Sequence, residues 1–347
     1  MKRLLGRLAV PLIALSLLTM QACSSSSDES AGDGAAPGSD GPTLKVGFVA
    51  DVAGLNDDSF NYLGDLGMKR AESELGVETR VLTSKSNADY IPNMATLARQ
   101  GYDLIIASGF NEIEAVATVS KQFPDTKFAI LDVSVDFVEG AGDNVTGLPF
   151  QQDQASFMAG YLGALFAVDK FGDDVALGAI GGEPIPPVEN WLDGFSAGVK
   201  AADPNLRVIQ GYSQSFGDPA PCKLLAENQI GQGASVLFQV AGGCGIGVIN
   251  AAKDAGVYVI GSDADQSSFG DHVLTSAMKK SDVAVFDTIK DLQDGTFRGG
   301  EDRLFNIEDG AVGLGTISPE VSDEIKQKVE AMEEKLKSGE VEVGSGG

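Results

Sequence analysis

The chain has 347 residues, 50 Asp and Glu against 25 Lys and Arg, three Cys, one His and one Trp, a length that suits two compact domains better than one. A formal net charge of -25 argues against a nucleic-acid binder, whose affinity comes mainly from Lys and Arg neutralising phosphates. With His272 as the only histidine, neither an imidazole-based metal centre nor a His-dependent catalytic triad is readily built, and no metal, cofactor or nucleic-acid partner is expected.

Residues 1–23 read as an address. Lys2, Arg3 and Arg7 precede a short apolar run, Leu8 to Met20, too brief for a comfortable membrane span and typical of a signal peptide. The run ends in Met20-Gln21-Ala22-Cys23, which resembles a bacterial lipobox with Cys23 as the acylated residue; an ordinary secretory cleavage near Ala22 is the alternative. Residues 24–43 are rich in Ser, Gly, Asp, Ala and Pro without apolar periodicity, the composition of a solvated tether. All 50 acidic residues lie beyond Cys23, so the body is soluble and repelled by anionic lipid, leaving the acyl chains to attach it to the membrane. Outside the cytoplasm the two remaining thiols, Cys222 and Cys244, are free to pair as a disulfide.

From Leu44 onward, short apolar or β-branched runs alternate with helical patterns. Strands are expected at 44–50, 77–83, 103–108, 127–132 and 144–149, with helices near 59–75, 88–100 and 112–123. After a helix at 154–168 the pattern restarts, with strands at 175–180, 206–211, 235–240 and 257–261 and helices at 188–201, 220–232 and 245–255. A strand and helix at 273–278 and 281–292, a short strand near 304–307 and a charged helix at 319–336 complete the chain. Such alternation predicts an α/β protein of two doubly wound, mostly parallel sheets, because right-handed crossovers place helices on both faces.

In open parallel sheets ligands bind beyond the carboxyl ends of the strands. Those ends carry Asp51 and the run Gly54-Leu55-Asn56-Asp57-Asp58-Ser59-Phe60-Asn61, then Ser108-Gly109-Phe110, then Asp132. In the second half they carry Gly181-Gly182-Glu183, Gly242-Gly243-Cys244-Gly245 and Asp263-Ala264-Asp265-Gln266. Asp57, Asp58 and Ser59 also suit a helix cap, and Phe60 and Trp191 also suit a core. Asp51 and Asp132 follow buried runs directly and so demand bonding partners. The glycines at 242–247 do not have G-x-G-x-x-G spacing, and no P-loop, HExxH or CxxC occurs, which removes those strong signals.

The segment Asp51-Val52-Ala53-Gly54-Leu55-Asn56-Asp57-Asp58-Ser59-Phe60-Asn61 resembles the D-x-G-G-x-N-D-x-S-F-N signature of the basic membrane protein (BMP) group of ABC-transporter substrate-binding lipoproteins, purine nucleoside receptors among them. Also similar to that family are Gln100 to Asp103 leading to Gly109-Phe110, Trp191 to Gly198, Ala241-Gly242-Gly243, Ile260 to Gln266 and Leu274 to Lys279. The resemblance implies a periplasmic-binding-protein type I fold, two lobes joined by three crossovers, with 44–150 plus 264–302 as one lobe and 151–263 plus 303–340 as the other. It implies a nucleoside gripped between Phe60 and Trp191. Asp51, Asn56, Asp57, Asn61, Phe110 and Asp132 would surround the base, and Gly243, Asp263 and Lys279, with Lys280 beside it, would hold the ribose. The implied partners are an ABC permease and ATPase at the extracytoplasmic membrane face, and the implied activity is binding without catalysis. A sugar or another small molecule in the same fold is the alternative ligand, and a nucleoside hydrolase is the rival from the enzyme class.

Overall fold

The computed structural model describes residues 43–343; the signal segment, Cys23 and nearly all of the tether lie outside the described residues. The first sheet comprises β1 (Lys45–Ala50), β2 (Glu78–Thr83), β3 (Leu104–Ala107), β4 (Lys127–Leu131) and β5 (Val145–Leu148), in the order β2-β1-β3-β4-β5. All of its pairings are parallel. Central strand β3, Leu-Ile-Ile-Ala, is buried along its whole length, as a strand covered on both faces must be. The covering helices in this half are α1 (Phe60–Leu75), α2 (Tyr90–Arg99) and α3 (Ile113–Gln122).

The second half begins with α4 (Gln152–Phe171), followed by β6 (Ala176–Gly181), α5 (Pro186–Ala202), β7 (Arg207–Tyr212), α6 (Pro219–Gly231), β8 (Ala234–Val240), α7 (Gly245–Ala255) and β9 (Tyr258–Asp263). It closes with β10 (Val273–Lys279), α8 (Ser281–Asp294), β11 (Val312–Leu314) and α9 (Asp323–Lys337). The sheet order is β11-β10-β9-β8-β6-β7, parallel except where β11 returns antiparallel to β10. Helix α4 is apolar on most of its circumference and packs against α5. Any side chain at Gly160 of α4 would meet the Phe195 carbonyl of α5, and one at Gly198 would meet that of Phe157. The small residues let the two backbones approach closely.

The chain crosses between lobes three times, as the two-lobed α/β expectation requires. It leaves the first sheet after β5 and returns after β10, when α8 packs on α1: a side chain at Gly67 would strike Asp282 O and Val285. Residues 300–305 then run beside β5, with Gly300 N donating to Val145 O at 2.7 Å and Arg303 N to Gly147 O at 2.9 Å, before β11 rejoins the second sheet.

Two expectations are corrected. The lobe boundary placed at 264 falls after Lys279, because β10 pairs with β9 in the second sheet. The strand expected near 304–307 is reduced to a Phe150–Phe305 bridge, and the edge strand lies instead at Val312–Leu314. Three residues are too few to display a period of two.

Candidate functional site

At the carboxyl end of β1 the chain turns into α1 around a polar knot. Asp57, 1 % exposed, accepts the amides of Ser59, Asn61 and Tyr62 at 3.1, 2.9 and 3.0 Å, so it caps α1 from outside the helix. Burial lifts its carboxyl to about 6 although those amides favour the charged form. Asn61 accepts from Asp51 N at 3.1 Å and Ser108 Oγ at 2.7 Å, and its amide nitrogen donates to Asp51 Oδ1 at 2.7 Å and Asp57 Oδ2 at 3.3 Å. Protein groups thus occupy all four hydrogen-bonding positions of this amide. Asn61 is therefore a frame for Asp51, whose half-buried carboxylate faces the space between the lobes and is raised in pKa mainly by burial.

A second cluster joins the lobes. Asp132, just after β4, and Asp263, the last residue of β9, adopt φ of 61° and 63°, a left-handed conformation that Asp tolerates better than most residues and that turns the chain sharply at the strand end. Lys279 ends β10 and is 3 % exposed. Its ammonium donates to Asp132 Oδ2 at 2.5 Å and lies 3.4 Å from Asp263 Oδ1. Burial opposes the charge on Lys279, but the two carboxylates outweigh it and raise its pKa. Burial likewise raises the pKa of Asp132, against the pull of Lys279. Asp263 Oδ2 accepts from Ser59 Oγ at 2.5 Å, while Oδ1 is buried without a hydrogen-bond partner among the described residues. The one close polar contact of Oδ1 is the 3.4 Å ion pair with Lys279, which leaves it capacity to accept a further donor. Lys280, beside Lys279, starts α8 instead of pointing into this cluster.

Aromatic side chains close the cleft. The Lys279 ammonium is 4.5 Å from the centre of the Phe60 ring and 5.5 Å from that of Trp191, so the two ring centres are no more than about 10 Å apart. Phe60 is half-buried, and its ring edge lies 3.3 Å from where a side chain at Gly109 would begin. Gly109, at φ 98°, meets both the backbone and the packing demand. Trp191 is 1 % exposed and tilts against Phe238 at 5.9 Å, so it serves the core while lining the cleft. The cavity left between these groups is small, about 70 Å³. Across its rims Ser59 reaches Asp263, Asn111 Nδ2 donates to Glu183 Oε2 at 3.2 Å, and Gln266 Nε2 donates to Asp58 O at 3.2 Å; the lobes are closed on one another.

Of the anticipated residues, Asp51, Asp57, Phe60, Asn61, Phe110, Asp132, Trp191, Asp263 and Lys279 line this cleft. Asn56 is exposed and does not line it, and Gly243 is buried at the lobe junction while its neighbour Gly242 faces the cleft. Phe216, half-buried in the loop after β7, lines the cleft from the second lobe and was not anticipated. The rule about strand ends would have found it had it been applied to β7 as to the others. Cys222 and Cys244 are joined by a disulfide, with Cα atoms 5.6 Å apart. Among the described residues no group of three or more His, Cys, Asp or Glu is placed to hold a metal, and no helix is long and apolar enough to cross a membrane.

Comparison with known proteins places this geometry. Residues 44–346 match the family described as ABC transporter substrate-binding protein PnrA-like. A CD4+ T-cell-stimulating antigen of Listeria innocua is 31 % identical over 99 % of both chains. The ABC transporter nucleoside-binding protein BmpA of Lactococcus lactis is 30 % identical over 97 % of this chain and 98 % of its own. Among solved structures, an ABC transporter solute-binding protein from Aeropyrum pernix aligns with a TM-score of 0.79 and 29 % identity, over 86 % of this chain and 92 % of its own. The fold is that of the periplasmic solute-binding proteins, and the chain belongs to the Bmp family of PnrA-like ABC-transporter substrate-binding proteins.

Proposed function

We propose that this protein is the lipid-anchored, extracytoplasmic receptor of an ABC importer and that its ligand is a nucleoside, a purine nucleoside foremost. The observation that carries the reading is the position of Lys279, flanked at once by the Phe60 and Trp191 rings and by carboxylates from both lobes. Ring faces about 7 Å apart hold a planar heterocycle in van der Waals contact on both sides, which a modest adjustment of this closed cleft provides. Phe60 supplies one face, and Trp191 or Phe216 the other. Asp51, framed by Asn61, meets N–H groups on the base edge. Asp263 Oδ1, which has only the long contact with Lys279, takes a ribose hydroxyl beside that ammonium. So many carboxylates repel a phosphate, which favours nucleosides over nucleotides.

The name of the Lactococcus relative supports the same ligand class. The lipobox-like Cys23 supports an acyl anchor, and the family supports a permease and an ATPase as partners. Closure of the lobes on ligand is the change such a permease can read. The ligand is bound and released unchanged.

Titration calorimetry with inosine, guanosine, adenosine, cytidine, ribose and guanosine monophosphate tests the reading. Saturable one-to-one binding of purine nucleosides, with ribose silent and the monophosphate weaker, is the expected result. Binding of ribose or another free sugar in the absence of nucleoside binding overturns it, and ribose released from inosine on prolonged incubation would make the protein a hydrolase.

A further inference from the structure

The disulfide plays no part in the reading above, yet it sits against the ligand cleft. Cys222 lies in the first turn of α6 and Cys244 in the short helical turn after β8; both side chains are 0 % exposed. The loop leading into α6 carries Phe216, and the turn after β8 carries Gly242, both of which line the cleft. The two segments are tied at further points. Cys244 N donates to Phe216 O at 3.0 Å, Ser213 Oγ donates to Ser215 O at 3.0 Å, and Cys244 Sγ lies 3.5 Å from that same hydroxyl.

The first lobe closes on this stapled pair. A side chain at Gly242 would begin 3.7 Å from Ala53 Cβ, and one at Gly217 would begin 3.5 Å from Val52 O. The start of the loop is held to the end of β6, with Ser213 N donating to Gly181 O at 2.9 Å and Gln214 N to Gly182 O at 2.8 Å, but beyond Gln214, which sits at φ 60°, it has no regular structure before Pro219. A segment of this kind costs ordering entropy on binding unless something orders it beforehand.

We propose that the Cys222–Cys244 bridge is a positioning device for the ligand site: it fixes the Phe216 loop to the Gly242 turn as one preformed wall, and so sets ligand affinity as well as the stability of the second lobe. The inference rests on the nucleoside reading of the cleft.

The test compares the wild-type chain with a Cys222→Ala, Cys244→Ala double variant, using inosine as probe. Binding is measured well below either unfolding midpoint, together with amide hydrogen exchange at Phe216 to Asp218. Loss of pre-ordering is expected to raise the Kd about 5- to 20-fold, with faster exchange in that loop and unchanged protection in β8. A Kd within about twofold of wild type, with only the unfolding midpoint lowered, overturns the proposal and leaves the bridge a purely stabilising element. Failure of the wild-type protein to bind inosine or any other nucleoside overturns the nucleoside reading instead; loop exchange then decides the inference alone, and equal rates in the two proteins sink it. Should the double variant not fold, Cys222→Val with Cys244→Ala restores buried volume without the bridge and is read by the same measures.

Discussion

Ser59 Oγ from the first lobe donates to Asp263 Oδ2 from the second at 2.5 Å, and both residues are buried. The bond exists only while the lobes are together, so it belongs to the closed state. A hydrogen bond to a charged acceptor contributes about 1.5–3 kcal/mol. Ser59→Ala should therefore weaken inosine binding by about tenfold or more, chiefly through faster release, and small-angle scattering should show a more open unliganded molecule. Unchanged affinity would mean that closure does not depend on this contact.

Lys279 neutralises two carboxylates that come from opposite lobes. Removing one member of a buried ion cluster leaves uncompensated charge, at a cost of about 3–5 kcal/mol. Lys279→Met is expected to lower stability in chemical denaturation by that order, and adding Asp132→Asn should restore part of it. A Lys279→Met protein as stable as wild type would contradict the pairing.

Three of the cleft rings should separate by burial. Phe60→Ala and Phe216→Ala remove half-buried rings and should weaken nucleoside binding by about 1–3 kcal/mol if stacking is made, with little effect on folding. Trp191→Ala empties a site that is 1 % exposed and should also destabilise the fold by about 3–5 kcal/mol. Full affinity in all three variants would remove stacking from the account.

Asp57 provides a pH test. Its folded carboxyl, lifted to about 6 from 3.8, binds a proton more tightly than the unfolded chain does. The stability linked to that proton is complete below 3.8 and is lost as pH rises through about 6. Asp57→Asn removes this titration. Its unfolding free energy should fall less steeply than wild type between pH 4 and 6, by roughly 1–3 kcal/mol across the window. Parallel pH profiles would show that Asp57 titrates normally.

Much of the architecture was legible because buried parallel strands are short, apolar and bounded, as Leu104–Ala107 is, and because helices between them keep their period. The lobe assignment of β10 was not, since nothing in Val273–Lys279 records which sheet it will join; that is a choice of long-range pairing. In the site, strand-end reasoning located Asp51, Asp132 and Asp263, whose carboxylates follow buried runs. It could not distinguish ligand contacts from framework. Asn61 and Asp57 are occupied by protein partners, which becomes visible only when Ser108 and the first turn of α1 are in place. Asn56 shares a motif with them but faces solvent, because the loop turns there.

Trp191 is the only tryptophan in the chain, and it lines the cleft, so its fluorescence reports on the space between the lobes without labelling. Titration with inosine, with ribose as control, is the most direct measurement. The account predicts a saturable change in Trp191 emission with inosine and none with ribose. A response to ribose with none to inosine or any other nucleoside would contradict it.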